Sequence, residues 1–332
     1  MNSINGSSVS QALSLLLGLF VNLAAVCGMG NAVSEENTNN QVQVEIRFLP
    51  RDDRANDDVW ISRPLNVATG TITTFSTRLA ELQPQGSQEQ MQPVRILTDR
   101  IVTCTPAWSD PSVITAYEAF RAKRWPEAIS RFTAAVKRQP PFWQQQWLSA
   151  DLATALLYDR QYPSLFTMLE QVDRQPLPAP FFARLPIAWW DQPRDKELLS
   201  LATMKLDAAE PLVRLLAASF LLGTEPSPGA VVTLKSLQSQ TQRPLIAQLA
   251  QAQLWRIADA ESTLENLPGW QAALRRLPAS LMTGPMATMA ERCQQAGDDE
   301  QAEEYWLAAA LLGLEPTHPK SVFARQAAGL EE

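Results

Sequence analysis

AYEAFRAKRWPEAISRFTAAVKRQPP, residues 116–141, is the stretch on which the class of fold turns. Ala116, Ala119 and Phe120 recur at three- and four-residue spacing and so share one face of a helix. The polar run Arg121-Ala122-Lys123-Arg124 ends that helix, and Trp125-Pro126-Glu127 starts another, with proline in the first turn, where its missing N–H costs nothing. Ala128, Ile129, Phe132, Ala135 and Val136 then form a second apolar stripe before Pro140-Pro141 stops it. The text is that of two short helices joined by a tight turn, with alanines where the helices face each other.

The same pattern recurs along the chain. Ala290 and Cys293 belong to one helix, Gly297 lies in a turn, and Ala302-x-x-x-Trp306 with Ala309 and Pro316 repeats the second helix. Between these units, Trp147 to Tyr158 is helical, Arg160-Gln161-Tyr162-Pro163 echoes Lys123-Arg124-Trp125-Pro126 at a spacing of 37, and Leu165 to Val172 returns. In the middle, Pro211 to Leu221 aligns with Pro244 to Leu254 at an offset of 33, and Leu198, Leu201 and Met204 are set against Val231, Leu234 and Leu237. Each helix pair exposes an apolar face that a neighbouring pair must cover, so the pairs are expected to stack. The Ala128-x-x-x-Phe132 element, Ala135 and the closing Pro140 resemble the tetratricopeptide repeat, although Ser112, Thr115 and Ala119 stand where that family carries Trp, Leu and Tyr. The P-L-V-R-x-x-A-A text from Pro211 resembles the second helix of a HEAT repeat. An ankyrin reading fits the period but lacks the T-P-L-H element. These resemblances imply protein or peptide binding.

Towards the N-terminus the text changes. From Gln41 to Pro106 it is strand-like: Gln41 to Phe48 alternates with period two, placing Val42, Val44, Ile46 and Phe48 on one face. Val59-Trp60-Ile61, the Thr-rich Thr69 to Leu82, and Val94 to Cys104 follow, about four strands in an antiparallel meander or small open barrel. The expected fold is mostly α: a right-handed α-solenoid of helix-turn-helix repeats over 112–332, preceded by a small antiparallel β module over 41–106. Ala12 to Val26 is an apolar run matching a signal-peptide core and too short for a membrane span, so 1–32 reads as a signal peptide and 33–40 as an acidic, Asn-rich leader. No stable span remains after cleavage, and an exported location follows, whether periplasmic, cell envelope or secreted. Cys27 fits a lipobox poorly because Val26 precedes it.

Chemical signatures are sparse. The single histidine, His318, flanked by Pro316, Thr317 and Pro319, excludes two-His metal sites and argues against a His-based triad; no phosphate loop or G-x-S-x-G elbow occurs. Cys104 and Cys293 form no C-x-x-C. The acidic run Arg51 to Asp58 has neither the spacing nor the glycine of a calcium loop. No catalytic, cofactor or metal residue is therefore expected, and a non-enzyme is the reading. A net charge of -7 argues against nucleic acid. Locally the sign reverses, because Arg121, Lys123, Arg124, Arg131, Lys137 and Arg138 face only Glu118 and Glu127 between Ser112 and Arg138, whereas Glu291 to Glu304 is acidic. Candidate partner-binding residues are Arg121, Lys123, Arg124, Arg131, Trp143 and Trp147. Trp143 and Trp147, like the adjacent Trp189 and Trp190, read either as packing between helices or as a ligand surface. The expected function is an extracytoplasmic scaffold or adaptor for a protein or peptide. The alternatives are a carbohydrate-binding or cell-wall-modifying protein, with glycan on exposed tryptophans, and a purely structural spacer.

Overall fold

The computed structural model describes residues 42–50, 65–84, 92–190, 195–223, 225–240 and 242–312. The apolar run and leader, the acidic run with Val59-Trp60-Ile61, and His318 lie outside the described residues. The protein is mostly helical, with twelve helices among the described residues and a five-stranded antiparallel sheet on the N-terminal side. The chain divides into two compact units: one holds Trp108–Gln175, the other combines Val42–Ala107 with the chain from Pro176 onward.

The first unit is four helices, α1 (Pro111–Arg121), α2 (Trp125–Lys137), α3 (Phe142–Tyr158) and α4 (Tyr162–Val172). Asp110 caps α1 by accepting from the Ser112 amide at 2.8 Å, and Pro111 opens the helix. Partial burial pushes the Asp110 carboxyl up, but the Ser112 hydroxyl and amide, the Arg138 charge and the Val113 amide outweigh it and hold the group below the usual carboxylate range. Arg138, from the end of α2, reaches the same carboxylate at 3.1 Å. Ala116 and Ala119 on α1 and Ala128, Phe132 and Ala135 on α2 are buried, as the spacing predicts.

Helix α1 stops in an αL turn. Lys123 has φ 56°, its N–H donates to the Phe120 carbonyl at 3.0 Å, and the Arg124 N–H donates to the Ala119 carbonyl at 2.8 Å. This is a Schellman closure, in which two otherwise orphaned carbonyls are satisfied and the chain reverses within three residues. Arg160 at the end of α3 repeats it with φ 60° and the bonds Arg160 to Leu157 and Gln161 to Leu156. The 37-residue echo read from the sequence is thus a repeat of backbone geometry.

In the second unit, β1 (Gln43–Phe48), β2 (Asn66–Phe75), β3 (Leu79–Gln83), β4 (Val94–Leu97) and β5 (Ile101–Ala107) pair antiparallel in the order β4-β3-β2-β1-β5. The edge strands β4 and β5 are joined by one 3₁₀ turn, Thr98–Arg100. A flat sheet would hold them about 19 Å apart at about 4.8 Å per strand, whereas three 3₁₀ residues advance about 6 Å. The sheet therefore curls, helped by register shifts at Arg47/Phe48 and Ile72/Thr74. Two expectations change. Thr69 to Leu82 is a hairpin of β2 and β3 rather than one strand, turned at Ser76, whose hydroxyl accepts from the Leu79 amide at 3.0 Å. Phe48 leaves the buried row of Val42, Val44 and Ile46 because the bulge falls beside it, and Leu49 is buried instead.

The same unit carries α5 (Ala179–Phe182), α6 (Lys196–Lys205), α7 (Pro211–Phe220), α8 (Pro228–Gln238), α9 (Pro244–Trp255), α10 (Ala260–Leu274), α11 (Thr283–Gln295) and α12 (Asp299–Leu311). The sheet packs on α5, where the Phe75 and Phe181 rings lie 4.6 Å apart, and on the 3₁₀ turn Ala279–Leu281, where Ala279 meets Leu49 and Val102. Helices α7 and α9 hold the 33-residue register: Val213, Leu216 and Ala217 are buried like Ile246, Leu249 and Ala250. The preceding pair does not. Met204 is 66% exposed while Leu237 is buried, and Leu198 and Ala202 instead correspond to Ala230 and Leu234, a spacing of 32. Helix α8 has 11 residues against 10 in α6, and one residue rotates a helical face by about 100°.

Candidate functional site: a basic turn beside an aromatic pair

The turn between α1 and α2 places Arg121, Lys123 and Arg124 in solvent. Beside them the Trp125 ring, at the start of α2, stacks on Tyr158 at the end of α3 with centroids 4.9 Å apart and planes at 17°, and Phe120 meets Trp125 edge-on at 5.3 Å. The antiparallel path of α2 and α3 brings these ends together, so the stack follows from helix length as much as from residue type. Tyr158 is 45% exposed. Glu127 pairs with Arg124 at 2.5 Å and with Arg131 at 2.7 Å, and Arg131 also donates to the Thr115 hydroxyl at 3.1 Å. Exposed pairs of this kind contribute at most about 1 kcal/mol each, so they orient side chains more than they stabilise the unit. Arg121 and Lys123 have no ion-pair partner among the described residues. The result is a cationic rim around an amphipathic aromatic shelf.

The structure brings together Arg121, Lys123, Arg124 and Arg131 of the expected residues and sets the two tryptophans apart from solvent. Trp143 and Trp147 are 7% and 3% exposed. Trp143 stacks on Trp108 at 6.0 Å and Trp108 on Tyr117 at 5.9 Å, while the Tyr117 hydroxyl donates to the buried Asp151 carboxylate at 2.5 Å. Both tryptophans pack against their neighbours in the fold. Trp189 also packs, with its indole seated on Gly284, where a Cβ would stand 2.4 Å from the ring.

Arg256, Gln253 and Ser219, by contrast, were not read from the sequence, and the structure makes them a buried knot. The Arg256 guanidinium donates to the carbonyls of Ala188 (2.8 Å), Ser219 (2.9 Å) and Leu222 (3.3 Å) and to Gln253 Oε1 (2.9 Å), and Gln253 Nε2 also reaches Ala188 O at 2.9 Å. The available signal was one arginine closing the apolar helix Pro244–Trp255. A pocket of about 340 Å³ opens beside it, lined by Trp190, Leu222, Pro226, Arg256, Glu291 and Arg292. The Arg256 donors already point at backbone carbonyls, so the cation ties Ala188 to α7 and α9 rather than presenting itself to the pocket.

Neither described thiol is primed for nucleophilic chemistry. Burial pushes Cys104 up to about 12, against a small opposing effect of Arg184, and burial with the Asp298 charge pushes Cys293 up to about 11. Among the described residues no group of three or more His, Cys, Asp or Glu is placed to hold a metal ion. No helix among them is long and apolar enough to cross a membrane. Comparison with protein-family models, with curated proteins and with solved structures returned no match.

Proposed function

We propose that the protein is an extracytoplasmic protein-interaction scaffold, a divergent right-handed α-solenoid of tetratricopeptide-like and HEAT-like helix pairs, whose docking surface is the basic turn at Lys123 with the Trp125–Tyr158 shelf. The observation that carries this reading is the half-exposed stack itself. Two large aromatic rings, Tyr158 exposed and Trp125 half-buried, lie against each other at a helix end beside Arg121 and Lys123, which have no ion-pair partner among the described residues. Aromatic residues and arginine are the types that anchor protein interfaces, and the surrounding positive charge selects an acidic segment. Export is supported by the apolar run Ala12 to Val26. Helix pairs closed by one recurrent turn support the repeat assignment.

The test is in-cell crosslinking of the C-terminally tagged chain in its native host, with an Arg121→Glu/Lys123→Asp variant beside it. Aspartate is chosen at 123 because it tolerates the αL conformation better than glutamate. Recovery from the cell envelope of a stoichiometric protein that the variant loses is the expected result. Equal recovery with both forms, or recovery of glycan alone, overturns the docking surface.

A further inference from the structure

The turn between α11 and α12 is built like the turn between α1 and α2 and carries the opposite charge. Gly297 has φ 82°, its N–H donates to the Gln294 carbonyl at 3.2 Å, and the Asp298 N–H donates to the Cys293 carbonyl at 2.9 Å. Equivalent positions are 174 apart, 123 against 297, and the buried residues match at that spacing: Ala116 with Ala290, Ala119 with Cys293, Ala128 with Ala302, Phe132 with Trp306, Ala135 with Ala309. Where the first hairpin presents Arg121, Lys123 and Arg124, the last described one presents Asp299, Glu300, Glu303 and Glu304, all exposed. Asp298 is occupied in capping α12 through the Gln301 amide. Asp299, Glu300 and Glu303 have no cation partner among the described residues.

We propose that the acidic α11–α12 turn of a second copy of this chain is an occupant of the basic α1–α2 turn, so that the protein associates head to tail. This rests on the docking surface argued above and names its partner. Three features favour a second copy. The two turns share a backbone shape and oppose each other in sign. Arg121 and Lys123 on one, and Asp299, Glu300 and Glu303 on the other, have no ion-pair partner among the described residues. The whole chain is acidic at -7, so copies repel in most orientations and attract where the Lys123 turn meets the Glu300 turn. Such a contact joins different patches on the two copies, so it repeats from one molecule to the next and forms a ring if the rotation closes and a filament if it does not.

The experiment is sedimentation velocity on the full mature chain at several protein concentrations, at low and high salt. Screening shortens from about 10 Å at 0.1 M salt to about 3 Å at 1 M, so the association is expected to weaken by about tenfold or more across that range. Two variants are measured beside it, Arg121→Glu/Lys123→Asp and Glu300→Lys/Glu303→Lys, with far-UV circular dichroism confirming that each is folded. Each is expected to be monomeric alone, and an equimolar mixture is expected to associate, because one now carries acid at both turns and the other carries base at both. Bulk charge cannot produce this result. The variants change -7 to -11 and to -3, and the less charged of the two is still expected to lose association. A wild type that stays monomeric at low salt, variants that associate as well as wild type, or a silent mixture overturns the second-copy proposal. A fluorescent poly-glutamate peptide separates that failure from failure of the docking surface. Binding by a monomeric wild type and not by Arg121→Glu/Lys123→Asp leaves the surface standing with a foreign acidic partner, and binding by neither removes both.

Discussion

At the scale of single residues, backbone conformation and burial set most of the local behaviour. Lys123, Arg160 and Gly297 occupy the same left-handed position at three helix ends. A residue with a Cβ costs about 1–2 kcal/mol there, partly offset by the larger entropy glycine loses on folding. Gly297→Ala is therefore expected to lower stability by about 1 kcal/mol, and because nothing lies within 4 Å of the added Cβ, the loss is conformational. Lys123→Gly is expected to do the reverse by a smaller amount, and urea unfolding of both variants measures the pair. The glycine was legible in the sequence as a turn, whereas Lys123 and Arg160 were legible only as polar breaks, because nothing in a lysine or arginine codes for positive φ. The thiols give a second residue-scale expectation. Native Cys104 and Cys293 should react with iodoacetamide at pH 8 on the order of a hundredfold more slowly than in urea, since protonation withholds the nucleophile. Cys104 rises from 9.0 to about 12 on folding, so its contribution to stability is complete below pH 9 and declines as pH rises from there towards 12. Denaturation midpoints taken across that window should fall less steeply for Cys104→Ala than for wild type.

Elements show where sequence pattern suffices and where packing intervenes. The facing stripes of α1 and α2 were legible because a three- and four-residue period leaves little freedom in which side is buried. Phe132→Ala and Trp306→Ala, at equivalent buried positions, are each expected to cost about 3–5 kcal/mol, whereas Ile114→Ala on the exposed side of α1 should stay within about 0.5 kcal/mol of wild type. Thermal or chemical unfolding of the three variants tests the contrast. The α6/α8 register was misread because Met204 looks apolar in the text, and only the extra residue in α8 reveals which side of each helix turns inward. Phe48 was misplaced for a related reason: alternation predicts a face until a bulge interrupts it, and bulges have no strong signature. At the candidate site the cations were readable as a cluster, but the aromatic partner was not. Trp143 and Trp147 stand out by their spacing on one helix, whereas half-buried Trp125 and exposed Tyr158 lie 33 residues apart in the chain and meet only because α2 and α3 run antiparallel.

On the scale of the whole molecule, the contacts that decide behaviour join distant parts of the text. The sheet shares a compact unit with the chain after Pro176, and its outer core is closed by Ala279, 177 residues beyond Val102. No period or motif encodes that contact; it exists because the curled sheet presents Leu49 and Val102 and the turn between α10 and α11 offers a small, fully buried residue. Ala279→Asp places an unpaired carboxylate among apolar side chains, a burden of several kcal/mol that the local structure can relieve only by opening. The strands nearest Ala279 are then the places to yield: β5, which carries Val102 and pairs on one side alone, and β1 beside it, which leads into Leu49. Hydrogen exchange followed by mass spectrometry is expected to show faster exchange in peptides covering β1 and β5 of the Ala279→Asp variant, although the substitution lies far outside both in sequence. A sheet that folds as a self-sufficient module would keep its protection, and that result would cut the link between the N-terminal strands and the later helices on which the unit is built.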